Sequence, residues 1–199
     1  MLSLRDRLNL LEQDLDATPP GFVVNTDLPF ALFRYDPKHP EESEWHMRRE
    51  IQKLRTRCQI ATGKRVTLLS LAKLFWKGVK ESEGLDALVD LERQRGFEVA
   101  QAQVTTYLSD PDWRPLTELI AEATSGMDPQ REYLFLTRAA VFAPAAYRTS
   151  SLLEQLMGKV RVPVVLFYPG SWTGSLNFLG LRSDMDAFGS YRVKIYGRD

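Results

Sequence analysis

The apolar run VPVVLFY, residues 162–168, is the feature of this sequence that most constrains its fold. A short run without alternating polar residues is typical of a strand buried on both faces, as in a parallel sheet covered by helices. The glycines that follow make the carboxyl end of this strand the first place to look for a ligand-binding loop. The segment therefore predicts a buried central strand and one position to test for chemistry.

The remaining segments alternate between strand patterns and helix patterns. Short apolar or alternating runs predict strands at residues 30–35, 65–69, 132–137, 175–181 and 191–197. Apolar spacings of three and four predict helices at residues 3–16 and 41–61, after Ser70, twice within 84–109 with a break near Gly96, and after Pro115. A capping box formed by Ser151 and Glu154 predicts the start of another helix.

This order of elements predicts an α/β fold. We expect a single layered domain over residues 1–199, with a mainly parallel central sheet flanked by helices and a helical insertion at about 70–125. The last two strands are expected at the edge of the sheet, and one interpretation pairs them as a hairpin.

The composition narrows the class of protein. Hydrophobic residues make up 44% and charged residues 26%, as in ordinary globular proteins, and 26 basic residues balance 26 acidic ones. Without a net charge, direct binding of nucleic acid is not favoured as the main function. The N-terminus lacks the apolar core of a signal peptide, and no run is long enough to span a membrane as a helix. We therefore expect a cytoplasmic protein without membrane segments.

Common catalytic and ligand motifs are not found. The Gly63-Lys64 pair is followed by Arg65, and Cys58 replaces the first glycine of a phosphate-binding P-loop. The two histidines are seven residues apart, which does not match a standard pair of metal ligands on one helix. Cys58 falls on the apolar face of its helix and is interpreted as a core residue. We predict no catalytic residue, no cofactor and no metal site.

The segment FYPGSWTGSLNFLG, residues 167–180, does not match a phosphate-binding loop. Gly170 and Gly174 supply flexibility, but the segment contains no lysine, and a strand is predicted after it instead of a helix. Trp172 occupies the place of the nucleophile in a serine-hydrolase elbow. A tight connection between two strands is the favoured interpretation, with Tyr168, Gly170, Trp172 and Gly174 kept as candidate contact residues.

Three further residues remain candidates with two interpretations each. Asp36 follows a strand and could hold a ligand there, although an aspartate before Pro37 is also typical of a turn. Arg148 could bind an anion or pin the following helix through an ion pair. Trp76, like Trp172, could belong to a protein interface or pack against a neighbouring loop.

The C-terminal third resembles a known family. The segments RTSSLLEQL, VPVVLFYPGSWTGSLNFLG and YRVKIYG, in this order and spacing, are similar to the BrxB family of BREX bacteriophage-exclusion systems. LPFALFRYDPK also looks like an early strand of that family, so that the resemblance spans most of the chain. It implies a role in phage defence beside a large ATPase, an adenine-specific DNA methyltransferase and the PglZ phosphatase-fold protein. It implies no known catalytic activity.

Three functional hypotheses follow. The leading one is a non-catalytic adaptor or scaffold that binds another BREX component, with the PglZ-type protein first and the ATPase and methyltransferase next, and that supports host DNA methylation and phage restriction. The second is a degenerate nucleotide-binding or phosphoryl-transfer domain that uses Asp36, Arg148 and the loop at 168–174. The third is a DNA-binding accessory subunit that uses the basic helix faces within residues 48–65.

Overall fold

A computed structural model describes residues 2–23, 29–144, 147–173, 176–183 and 193–198. The helices are α1 (Leu4–Asp16), α2 (Glu44–Thr62), α3 (Leu71–Glu81), α4 (Gly84–Arg95), α5 (Phe97–Ser109), α6 (Leu116–Thr124) and α7 (Thr149–Leu156). The strands are β1 (Phe30–Tyr35), β2 (Arg65–Ser70), β3 (Glu132–Thr137), β4 (Val164–Trp172), β5 (Leu176–Phe178), β6 (Arg182–Ser183) and β7 (Lys194–Tyr196). Short 3-10 helices cover Pro40–Glu42 and Ala139–Phe142.

The central sheet has the strand order β2-β3-β4-β1-β7, and all of these neighbours are parallel. β4 lies in the middle, where Val164 is in register with both Phe30 of β1 and Leu134 of β3. The first seven residues of β4 are buried. The prediction of a helix-covered, mainly parallel sheet around VPVVLFY is therefore confirmed.

Helices cover both faces of this sheet. On one face, α1 and α2 pack their apolar stripes against Phe33, Phe135 and Phe167, whose rings lie 5.4–5.5 Å apart in consecutive pairs. On the other face, α3 to α7 form a second cluster with alternate residues of the same strands. The predicted helical insertion between β2 and β3 is thus the block α3 to α6. Both clusters share one sheet, although the single-domain interpretation stays a prediction.

Local capping signals fix several helix ends. Ser3 and Asp6 form a capping box at the start of α1. The Ser70 hydroxyl accepts a hydrogen bond from the Lys73 N–H, 3.3 Å away, as predicted for the start of α3. Gly63 ends α2 in the left-handed conformation, with φ of 66°, because a residue without a Cβ adopts it at low cost.

The predicted capping box at Ser151 and Glu154 is wrong. α7 begins three residues earlier than this capping box implies, at Thr149, and Arg148 occupies the N-cap position without a capping side-chain hydrogen bond. The Leu152 N–H donates to the Arg148 carbonyl, 3.1 Å away, so that Ser151 already lies in the first turn. Thr149 and Leu152 are both buried, and this packing of one helix face extends α7 beyond the start that the local polar signal indicates.

The suggested hairpin between the last two predicted strands is also wrong. β4 continues beyond the parallel sheet and pairs antiparallel with β5, with Gly170 opposite Phe178 and Trp172 opposite Leu176. β7 pairs instead with the far side of β1, in parallel. The two segments separate because Leu176 and Phe178 are buried in the second apolar cluster, whereas Tyr196 of β7 is buried in the first one.

A buried polar network ties the N-terminal helix to the carboxyl end of β1. Arg7 of α1 forms an ion pair with Glu42 and donates to the Arg34 carbonyl, 2.6 Å away. The second Glu42 oxygen accepts the Asp36 N–H at 2.7 Å. Arg34 in turn donates to the Gly197 carbonyl at 2.6 Å and to the Gly170 carbonyl at 3.3 Å. Two guanidinium groups therefore join α1, β1, β7 and the end of β4.

Substitution of Arg7 by Met should lower the free energy of unfolding by about 3–5 kcal/mol, because the buried Glu42 carboxylate loses its charged partner. The matched change Arg57→Met breaks a more exposed pair with Glu12 and should cost no more than about 1 kcal/mol. Urea titration of both variants measures the difference. A loss for Arg7→Met that is no larger than that for Arg57→Met would contradict the importance of the buried pair.

Candidate functional site

Asp36 acts as a turn residue at the carboxyl end of β1. Its carboxylate accepts a hydrogen bond from the Lys38 N–H at 3.0 Å, and its own N–H donates to the Glu42 carboxylate. These contacts support the turn interpretation, because the carboxylate is engaged by the backbone that follows it.

The glycine segment after the buried strand forms a connection between antiparallel strands. Gly170 and Trp172 lie within β4 and not in the loop, whereas Gly174 lies outside the described residues. A Cβ at Gly170 would collide with the carbonyl of Asn177 and lie 2.7 Å from a ring carbon of Tyr168. Glycine is therefore required here by the close approach of β5, not by a phosphate, and β5 follows where a P-loop has a helix.

The other candidate residues of this region do not meet in one cavity. Tyr168 is fully buried, with its ring 5.6 Å from that of Phe178 in an edge-to-face contact. Trp172 is half-buried, and the Arg198 guanidinium lies 5.3 Å from its ring centroid. Arg148 is exposed at the start of α7, and its guanidinium has no ion pair with the described part of the chain. Among the residues that the structure describes, the candidates of the phosphoryl-transfer hypothesis therefore do not form one site.

A cleft of about 780 Å³ lies instead between α2 and the carboxyl ends of the strands. Its floor includes Tyr35, Ser70 and Thr137, which end β1, β2 and β3. We call it the basic cleft, because its charged lining consists of five cations and one carboxylate: Arg48, Arg49, Lys53, Lys73, Arg138 and Glu44. Carboxyl ends of parallel strands are the usual position of ligand sites in open α/β sheets.

The carboxylates near the basic cleft are already engaged. Glu44 accepts hydrogen bonds from Arg48, at 3.4 Å, and from the Tyr35 hydroxyl. Burial, followed by the Glu44 charge, raises the pKa of Tyr35, so that its hydroxyl stays protonated and donates. Among the described residues, no carboxylate lies within ion-pair distance of Arg49, Lys73 or Arg138.

A second surface lies on the other side of α3. This apolar groove, of about 290 Å³, is formed by α3, α4, α5 and the 3-10 helix after β3. Three of its side chains are conspicuously uncovered: Trp76 is 47% exposed, Leu85 is 50% exposed and Phe97 is 56% exposed. Trp76 also borders the outer face of α3, where Lys73, Lys77 and Lys80 lie. Trp76 is therefore the sequence candidate that lies between the apolar groove and the lysines on the outer face of α3.

Sequence reasoning missed most of the residues of these two surfaces. Arg138 is not among the predicted site residues, although it directly follows the strand predicted at 132–137 and has a φ of 64°, unusual for a residue other than glycine. The apolar spacing within residues 84–109 predicts the helix that carries Leu85 and Val89, but periodicity alone does not show whether its apolar face is covered. A run of lysines on α3 was the available signal for the basic surface.

The residues considered for metal or thiol chemistry have structural roles. The His39 imidazole accepts the Glu41 N–H at 3.3 Å, and His46 lies 3.8 Å from Glu50. Across the described ranges, no group of histidine, cysteine and carboxylate side chains is arranged to hold a metal ion. Burial, with smaller contributions from Glu12 and Asp16, raises the pKa of the Cys58 thiol to about 12.

None of the helices in the described ranges is long and apolar enough to cross a bilayer.

A comparison with models of protein families shows to which family this chain is related. A family model described as BREX protein BrxB matches residues 67–194, which is more than half of the chain. The chain belongs to the BrxB family. The BrxB match confirms the resemblance found in the C-terminal third and makes the chain a component of a BREX phage-defence system. No curated protein and no solved structure gives a significant match.

The BrxB match covers the apolar groove in full and the basic cleft only in part. It begins within β2 and therefore includes Lys73, Arg138 and the whole apolar groove, whereas α1, β1 and α2 precede it. BrxB is not a known catalytic family, and the family alone does not say which surface is used. The function of the two surfaces must be argued from their chemistry.

Gly170→Ala should lower the free energy of unfolding by about 1–3 kcal/mol, since the added methyl group forces β5 away from β4. Gly126→Ala is the matched control, because a Cβ there meets no atom within 4 Å, and it should stay within about 0.5 kcal/mol of the parent. Thermal and urea unfolding measure both changes. Equal stability of the two variants would show that the close approach of the strands is not limiting.

The Cys58 thiol of the native BrxB-family chain should not react with a thiol reagent at pH 9, where an ordinary cysteine is ionised to a large extent. The raised pKa of about 12 keeps the native thiol protonated, and burial blocks access. The same protein in urea should react fully. Since only the unfolded thiol ionises between pH 9 and 12, the free energy of unfolding should also fall across this range. Rapid native reaction would contradict this assignment.

Proposed function

We propose that this BrxB-family chain is a non-catalytic adaptor that binds another BREX component through the apolar groove between α3, α4 and α5. The observation that carries the proposal is the exposure of Trp76, Leu85 and Phe97 around one groove. Large exposed apolar side chains are unremarkable singly, but their grouping on one surface is typical of interaction sites. Aromatic residues are also enriched among the anchors of protein interfaces.

The helix pattern supports a docking function for the groove. α4 carries Leu85, Leu88 and Val89 on one face, but only Leu88 is buried in the apolar cluster. An amphipathic helix normally covers such a face with its own protein. Here the face is left as one wall of the groove, facing Phe97 and Val104 of α5. A second polypeptide can supply the missing cover.

The chemistry of the rim specifies the partner segment. Trp76 separates the groove from Lys73, Lys77 and Lys80 on the outer face of α3. The partner segment that fits is therefore an amphipathic helix whose apolar residues enter the groove and whose carboxylates face Lys77 and Lys80, which do not line the basic cleft. Within a BREX system the PglZ-type protein is the first candidate partner, followed by the ATPase and the methyltransferase. Loss of the contact should impair host DNA methylation, phage restriction or both.

The test is binding of the purified chain to the PglZ-type protein by pull-down and calorimetry. Leu85→Glu and Phe97→Glu place a charge in the groove and should weaken binding about 10-fold or more each, which is about 1.4 kcal/mol or more. Ile60→Glu is the matched control, because Ile60 is 80% exposed on α2 and outside the groove. The Ile60→Glu variant should bind the PglZ-type protein with the same affinity as the parent chain.

Two results would overturn the adaptor proposal. One is the lack of a stable complex with any of the three candidate BREX proteins. The other is an equal loss of affinity in Ile60→Glu and Leu85→Glu, which would show that the groove is not the binding surface. Unfolding midpoints of all variants, measured alongside, should match the parent because the substituted side chains are largely exposed.

A further inference from the structure

The chain has no net charge, but it contains two segments whose own net charges have opposite signs. Between Trp45 and Lys80 the sequence contains ten basic residues and one acidic residue. Between Glu81 and Glu132 it contains twelve acidic residues and four basic ones. Net charge governs the field of a whole protein at a distance, but a ligand at close range meets the local charge. A basic surface is therefore compatible with a neutral chain.

The fold concentrates part of the basic segment in the basic cleft. Arg48, Arg49 and Lys53 come from α2, while Lys73 and Arg138 follow the carboxyl ends of β2 and β3. The α2 residues precede β2 in sequence, and Arg138 follows β3, so that parallel strand pairing is what brings them together. Lys73 and Arg138 also border the outer face of α3, so that a basic surface extends from the basic cleft along this helix.

Three cations of the cleft are available to an anion. Arg49, Lys73 and Arg138 have no carboxylate partner within the described part of the chain, whereas Arg48 pairs with Glu44 and Lys53 pairs with Glu50. Two of the three are arginines, whose planar guanidinium groups match the geometry of phosphate oxygens. The cleft therefore presents unneutralised charge in a form suited to phosphate.

Two further features border the cleft at the strand ends. Arg138 holds the left-handed conformation, with φ of 64°, which is unfavourable for an L-residue other than glycine. The Ser70 hydroxyl oxygen accepts the Lys73 N–H, which leaves the hydroxyl proton to donate to a bound group. A strained arginine and a hydroxyl donor thus border the same cleft.

Exposed tryptophans flank the cations. Trp45 borders the cleft with 64% of its surface exposed, and the Arg49 guanidinium lies 4.8 Å from its ring centroid. Trp76 lies beside Lys73 at the other end of the basic surface. Aromatic rings next to basic side chains are the arrangement that binds single-stranded nucleic acid, because bases stack on the rings while phosphates meet the cations.

We propose that the basic cleft binds single-stranded nucleic acid, with phosphates held by Arg49, Lys73 and Arg138 and a base stacked on Trp45. This function goes beyond the adaptor function and uses a different surface. An acidic protein segment would satisfy the cations but gains less from an exposed indole than a nucleobase does. Nucleic acid is therefore the ligand that accounts for both the charge and the aromatic residue.

The experiment measures fluorescence anisotropy of a labelled 20-nucleotide oligothymidine with the full chain at 50 to 200 mM NaCl. The affinity should fall with salt, and the slope of log K against log salt should be about −0.7 for each phosphate contacted, or about −2 for three. The combined variant Arg49→Gln, Lys73→Gln and Arg138→Asn should remove most of this slope, and Asn tolerates the left-handed conformation at position 138. No binding by the parent at 50 mM would overturn the proposal.

A matched control variant tests whether binding depends on the basic cleft or only on the total charge of the protein. Arg93→Gln, Arg95→Gln and Arg161→Gln remove the same number of charges from exposed positions outside the cleft. This variant should keep the parent affinity and slope. An equal loss in both triple variants would assign binding to the overall charge and overturn the cleft. Leu85→Glu, which disables the apolar groove, should leave oligonucleotide binding unchanged.

Substitutions of Trp45 test the proposed stacking of a base separately from the phosphate contacts. Trp45→Ala should weaken binding of the oligothymidine roughly 5- to 150-fold, as expected for the loss of 1–3 kcal/mol of base stacking, and Trp45→Phe should recover most of it. Equal affinity of Trp45→Ala and the parent would contradict the stacked base. Tighter binding of a duplex of the same length, or displacement by polyglutamate at equal charge concentration, would overturn the assignment to single strands in favour of duplex DNA or an acidic protein.

Discussion

The buried ion pair between Arg7 and Glu42 is the interaction on which the arrangement of this protein depends. Removing two charges from water is costly, and the cost is offset only because both groups have further hydrogen-bond partners. Arg7 also reaches the Arg34 carbonyl, and Glu42 also receives the Asp36 N–H. The pair thereby fixes α1 against the carboxyl end of β1. It also sets the loop that leads into α2, which forms one wall of the basic cleft.

The two surfaces follow from the position of α3. This helix leaves the carboxyl end of β2, so that its first turn borders the basic cleft, and its opposite side packs against α5 and α6. Its exposed face carries Lys73, Trp76 and Lys77 between the two surfaces. The inserted block α3 to α6 therefore supplies both the apolar groove and one side of the cationic surface. The two proposed binding surfaces therefore both include residues of this one helix.

Sequence reasoning was accurate for the short apolar runs that form the central sheet. The predicted strands at residues 30–35 and 132–137 match β1 and β3, because each is a short apolar run with clear ends. It failed where long-range packing overrides a local signal, as at the start of α7, and where the partner of a strand had to be chosen. β5 joins β4 and β7 joins β1, since their buried residues belong to opposite faces of the sheet.

The sequence by itself determined the α/β class, the buried central strand and membership of the BrxB family, because periodicity, burial and motif order are local or sequential properties. The sequence also identified Trp76 as a candidate contact residue, but it did not show which residues surround it. Only the tertiary structure decided that Asp36 and Gly170 serve the backbone, that Arg138 joins Arg49 and Lys73, and that the apolar face of α4 stays uncovered. These are statements about residues far apart in the chain, and parallel pairing through long crossovers is what brings them together.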